Sequence, residues 1–307
     1  MDLRHIKGPL RVLRNKLRLI ARKQMDVHSF YVDFSGICAD PLEARRRAPR
    51  LRHLLELRFD RLRDMHPIVP DWPSNPFVLT AQALLEDEAL TFDASPLSSY
   101  FSHVVPENAA VIADGTSAQL RTMKAIEADL PWKSFGAPAV TLKAERSIRQ
   151  AHENNVMLSF EDGDYAMGPV SRAKGELEFC RTRTVLKSIV DNGYHPSGVD
   201  GQINGHLIEH GQDWAVMIDS GTHRAACLYA LKYTSVPVLI RTERNINSAD
   251  VDKWPPVKER LLSREEALAM FDRILRGDSP EWLDKCWPPA ARRARLGSRR
   301  HYPSSSP

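Results

Sequence analysis

The first segment of the chain sets Leu10, Leu13, Leu17 and Ile20 at i, i+3, i+7 and i+10, with Arg11, Arg14, Lys16, Arg18, Arg22 and Lys23 around them. That spacing predicts an amphipathic helix with a basic polar face. Residues 28–37, HSFYVDFSGI, are β-branched and aromatic and close on glycine, which predicts a strand. Residues 40–65 read as helix, with Asp40 as N-cap, Pro41 at the first helical position and a break or kink at Pro49. The four prolines of 66–76 predict a loop, and helical spacing returns at 78–90 and 116–129 with an irregular stretch between.

Residues 160–176 are rich in turn formers and acids and mark the start of a second half. A helix is expected over about 177–192, ended by Asn192-Gly193. A short strand pair would bracket a turn region at Gly201–His210. After it, AVMIDSGTHRAACLYALKYTSVPVLI (215–240) reads as strand, turn, helix and strand. The last helix, 261–277, carries a capping box in Ser263 and Glu266 and a glycine stop. No repeat of 20 to 50 residues is present.

Composition narrows the class. At 307 residues with 42% hydrophobic and 27% charged content, the chain matches soluble globular proteins. It has no apolar run long enough to span a bilayer and no apolar leader core. Cys38, Cys180, Cys227 and Cys286 are far apart, which argues against a zinc site or a disulfide framework and for a cytoplasmic setting. The net charge of +4 is unevenly spread: residues 1–63 hold 16 Lys/Arg against 7 Asp/Glu, and residues 292–307 hold five arginines and no acid. The body between is acidic, so duplex DNA is a poor partner for it. The basic helix of residues 1–25 suits an anionic membrane surface, or packs on the body with its basic face in water. Residues 278–307 are expected to form a basic tail, disordered in its arginine- and serine-rich part beyond Pro289.

The turn at 219–224 holds the most specific chemistry. A helix start presents unpaired N–H groups and partial positive charge. Gly221 permits close approach, Thr222 offers a hydroxyl, His223 a ring N–H and Arg224 a two-pronged guanidinium. Together they compose a phosphate cradle. The competing reading makes Asp219 a helix cap and Arg224 a structural ion-pair partner.

Three segments in register, LKSIVDNGY (186–194), AVMIDSGTHRAA (215–226) and SVPVLI (235–240), resemble the ParB/sulfiredoxin superfamily across about 65 residues. The resemblance implies an α/β (α+β) fold. Its ParB/sulfiredoxin-like core would occupy 160–277, after a mainly helical region at 26–159. It implies a nucleotide site in which Gly221, Thr222, His223 and Arg224 hold phosphates and Arg181, Thr184 and Ser188 face the nucleotide. Thr222 stands where sulfiredoxins need a cysteine, so sulfinic-acid repair is not expected; Cys227 reads as a small core residue. The downstream sequence lacks a second DNA-reading helix, which disfavours a partition protein.

The Asp219-Ser-Gly-Thr-His-Arg turn is closest to the free-serine-kinase branch. That likeness implies ATP or another nucleotide, with Mg²⁺, as phosphoryl donor to a small hydroxyl compound or glycan precursor. Asp219 is then the leading candidate for base or metal ligand. Glu178 or Glu176, and Glu161, Asp162 and Asp164 in the acidic loop, are the other carboxylates on offer. SPLSSYF (95–101), GPVSRAKGELEF (168–179) and DVDKWPPV (250–257) resemble proteins of unassigned function encoded beside bacterial polysaccharide genes. A cytoplasmic protein, peripheral to the inner face of the membrane, fits that setting. Two alternatives stand beside a phosphotransferase: a non-catalytic, nucleotide-gated binding module, and a ParB-like nucleic-acid-binding or nuclease protein.

Overall fold

The computed structural model describes residues 31–68, 71–196 and 201–293. The basic segment at 1–25 and the tail from 294 onward lie outside them. Strand β1 (Tyr31–Asp33) is followed by helix α1 (Pro41–Arg47), capped by Asp40 through the Leu42 N–H. Strands β2 (Arg52–Arg58) and β3 (Leu62–Arg63) come next. Here the expected helix over 40–65 is corrected. Beyond Pro49, His53, Leu55 and Leu57 are buried in alternation with partly exposed neighbours, a period-two pattern that packs as a strand.

Helix α2 (Pro76–Glu86) starts on Asn75. The stretch expected to be irregular contains α3 (Pro96–His103) and α4 (Ala109–Ala113), and α5 (Ala118–Thr122) follows. Ser95 and Asn108 cap the first two, a local cue that the sequence reading passed over. Next are α6 (Ala137–Glu153) and α7 (Arg172–Asn192), the second closed by Gly193. Residues 203–210 are not a turn region. They form β4 (Ile203–His210), joined through Gly211 to β5 (Asp213–Ser220).

Helix α8 (Thr222–Ala230), β6 (Ser235–Ile240) and the short β7 (Ile246–Asn247) follow. The chain then runs through α9 (Pro255–Lys258), α10 (Arg264–Arg276) and α11 (Glu281–Cys286). The Ser263–Glu266 capping box forms as expected, and Gly277 ends α10 in a left-handed conformation. Trp254 is buried against Phe271 and Trp132, as a packing residue.

The fold is mixed α/β. One seven-stranded sheet runs β1-β2-β6-β4-β5-β3, with β7 alongside the end of β4. Strands β2 and β6 are antiparallel, as are β4 and β5; β4 and β6 are parallel. The sheet therefore draws strands from both sides of residue 160, and one apolar core runs through both halves. Strand β4 is buried at every residue but the last, the mark of a strand covered on both faces. Helix α8 packs against α2 and α7, while α10 packs on β4 and β5. No described helix is long and apolar enough to cross a membrane.

Candidate functional site

Strand β5 delivers the chain to Gly221, whose φ of +95° lies where L side chains are strained. A Cβ there would also stand 3.1 Å from the Ile203 Cα, so the turn is pressed against the start of β4. Helix α8 begins at Thr222, and among the described residues no side chain caps its first N–H groups. Asp219 does not cap it. Asp219 Oδ1 lies 2.9 Å from His206 Nδ1 of the neighbouring strand, and its Oδ2 is buried without a partner. The helix start therefore keeps its N–H donors and its positive dipole end for another acceptor.

Beneath this turn lies a buried charge hub. Glu178 of α7 has no solvent exposure. Lys174 Nζ is 2.8 Å and Arg181 Nη1 3.1 Å from its carboxylate, and His223 Nε2 approaches to 3.0 Å. The His223 contact is close but is not an aligned hydrogen bond, so with a neutral imidazole it is a polar packing contact. Lys174 also donates to Gln150 Oε1 of α6 at 2.5 Å. Burial acts to raise the Glu178 pKa, but His223, Lys174 and Arg181 overcome it and hold the carboxylate well below the usual range. Burial holds His223 below the usual imidazole range against the pull of Glu178. The consistent state at neutral pH is an ionised Glu178 beside a neutral His223.

This revises the sequence expectation for Glu178. It is a fully buried anchor for Lys174, Arg181 and His223, and a carboxylate so strongly held is a poor proton acceptor. In the acidic loop, Asp164 is buried beside His66, Lys143 and Arg146, and Asp162 accepts from the Ser159 N–H; neither lines the cradle.

Two clefts open on either side of the α8 start. One, about 310 Å³, is lined by Asp219, Gly221, Thr222, His223 and Arg181, joined by Arg146, Arg149 and Glu153 of α6. The other, about 670 Å³, holds Arg181, Thr184, Gly221, His223 and Arg224 with apolar Leu177, Val185 and Val156. Arg181, Gly221 and His223 are common to both. Ser188 is exposed further along α7 and lines neither.

Sequence reasoning missed Arg146 and Arg149. They sit at i, i+3 on one face of α6, and neither forms an ion pair with a carboxylate among the described residues. Arg146 instead reaches His66 Nε2 at 3.3 Å and lies over the Tyr165 ring. Their spacing was the available signal. His206 was also missed, since its role depends on a partner strand.

The first cleft thus combines an uncapped helix start with three guanidiniums, a donor set suited to phosphate oxygens. Among the described residues no three His, Cys, Asp or Glu side chains gather as a metal site. Asp219 and Glu153 are the carboxylates of that cleft. No protein-family model, curated protein or solved structure matches the chain.

Proposed function

We propose that the chain binds a phosphorylated small molecule, a nucleotide in the first instance, at the start of α8, and transfers a phosphoryl group from it to a small hydroxyl compound. The observation that carries this reading is the convergence of Arg146, Arg149 and Arg181 on an uncapped helix N-terminus. Phosphoryl transfer asks a protein mainly for positioning and charge neutralisation. The N–H groups of α8 and the guanidiniums supply both. Asp219 lines the same cleft and takes the role of proton acceptor.

In the reaction the acceptor oxygen bonds to the terminal phosphorus and the bond to the departing phosphate breaks. The acceptor's proton passes to Asp219, whose carboxylate His206 orients from below. Mg²⁺ carried on the phosphates would add charge neutralisation. The non-catalytic, nucleotide-gated reading is favoured by one observation: Glu178, the other expected catalytic carboxylate, is committed to an internal hub.

A thermal-shift panel of ATP, ADP, CTP, GTP and pyrophosphate, each with and without Mg²⁺, tests the binding step. At 100 times its dissociation constant a ligand stabilises by about 2.7 kcal/mol. The expected result is a shift with at least one compound, reduced in Arg224→Ala and in Arg146→Ala/Arg149→Ala. A cooperatively melting protein that shifts with none of them overturns the proposal. Binding without turnover of any hydroxyl acceptor turns it to the non-catalytic form.

A further inference from the structure

Of the guanidiniums that line the cleft beside the α8 start, Arg181 is anchored by Glu178, while Arg146 is held by uncharged groups. No carboxylate among the described residues forms an ion pair with Arg146. Its Nη1 lies 3.3 Å from His66 Nε2, and its guanidinium lies over the Tyr165 ring, 5.9 Å from the centroid. A guanidinium carries donors only, so His66 Nε2 is the acceptor and the ring proton sits on Nδ1. Burial, with Arg146 and Lys143 acting the same way, holds this imidazole well below its ordinary range against the pull of Asp164. His66 is therefore neutral near pH 7 and keeps its acceptor.

His66 has little freedom of its own. It is buried, its backbone N–H donates to Asp64 Oδ1 at 3.1 Å, and its ring meets Tyr165 edge-on at 4.4 Å. Tyr165 packs in turn on Phe77, and Phe77 on the ring of His223. A row of four rings thus joins the support of Arg146 to the start of α8. His66 itself does not line the cleft.

A carboxylate in the place of His66 would hold the guanidinium and cancel much of its charge. An uncharged imidazole fixes one N–H and leaves the charge for an incoming anion. A long arginine side chain gives up rotamer freedom when it binds a ligand. One that is already held has lost part of that freedom beforehand.

We propose that His66 is a positioning residue for phosphate binding: through Nε2 it holds the Arg146 guanidinium in place on the cleft without neutralising it. The inference rests on the phosphate reading of that cleft and adds to it a residue that touches no ligand.

The test is isothermal titration of the full chain with ATP, ADP, CTP, GTP and pyrophosphate in the presence of Mg²⁺, the tightest binder serving as the probe. His66→Met removes the acceptor at similar side-chain length and should weaken the probe about three- to tenfold, as loss of one orienting hydrogen bond does. His66→Gln keeps an acceptor near the position of Nε2 and should restore most of that affinity. In an Arg146→Ala background, His66→Met should have no further effect, because two residues that act through one group are not additive. A general loss of structure would instead weaken the probe equally in both backgrounds. Wild type that binds none of the five compounds removes the phosphate reading and this inference together. Wild type that binds overturns this inference alone if His66→Met binds as tightly, if His66→Gln is no better than His66→Met, or if the His66→Met loss is the same with and without Arg146.

Discussion

Replacing Glu178 with glutamine removes one charge from the hub under α8 and almost no volume. The consequence follows from what each partner does next. Arg181 has a 27% exposed side chain and can turn its guanidinium into the adjoining clefts. His223 is already neutral and loses little. Lys174 is 1% exposed, and its remaining partner is the Gln150 amide oxygen, so it becomes a buried ammonium without a counter-charge. Stranding a buried ion this way costs about 3–5 kcal/mol, and one stranded ion beside a retained hydrogen bond sets the expectation near 3. That corresponds to a melting midpoint lower by about 6–12 °C for a domain of roughly this size.

Calorimetry at pH 7 measures it directly, and Lys174→Met/Glu178→Leu should be less destabilised than Glu178→Gln alone. The pH dependence has a definite sign. The folded pKa of Glu178 lies below its ordinary 4.5, so its contribution is present above that value and fades as pH falls toward the depressed one. The gap between wild type and variant should be constant near neutrality and narrow in acid. A loss below about 1 kcal/mol at pH 7 would refute the argument, since it would mean Lys174 is adequately solvated or neutral without Glu178.

Two further outcomes are expected. Gly221→Ala places a Cβ at φ +95° and 3.1 Å from the Ile203 backbone, so unfolding in urea should show a loss of about 1–3 kcal/mol; an unchanged midpoint would deny the strain. Burial pushes the Cys227 thiol up to about 12, while Cys180 is exposed. In a thiol titration of the native protein at pH 8, Cys180 should react promptly and Cys227 only on unfolding. Equal labelling rates would place Cys227 outside the core.

The legible parts of the chain are those whose cues are local. The β5–α8–β6 unit could be read because an apolar strand, a glycine turn and a small-residue helix each announce themselves within a few residues. The box at Ser263 and Glu266 is equally local. Strand β4 shows the opposite case. Its polar residues resemble a turn in sequence, yet Asn204 donates to the Ser220 hydroxyl, His206 meets Asp219, and Glu209 is held by Arg45. Each of these side chains finds a partner at least 13 residues away in the sequence, where no local pattern points to it. The same holds for Lys174 and Glu178. Their i, i+4 spacing reads as a solvated helix face, and only the packing of α6 and α8 over it turns the pair inward.

Those hidden partners bear directly on the candidate site. The turn into α8 is fixed from several sides: Gly221 against Ile203, Ser220 to Asn204, Asp219 to His206 and His223 to Glu178. None of these contacts consumes the first N–H groups of the helix, which no side chain among the described residues caps. A helix start that is pinned and uncapped has already met the ordering cost that a flexible loop would meet on binding an anion. Anchored by Glu178, Arg181 gains the same advantage at one edge of the cleft. Arg146 and Arg149 come from α6, whose Gln150 binds Lys174 of that hub. The phosphate reading therefore links the two halves of the chain physically. Loosening the hub should weaken anion binding even where every cleft-lining residue is retained.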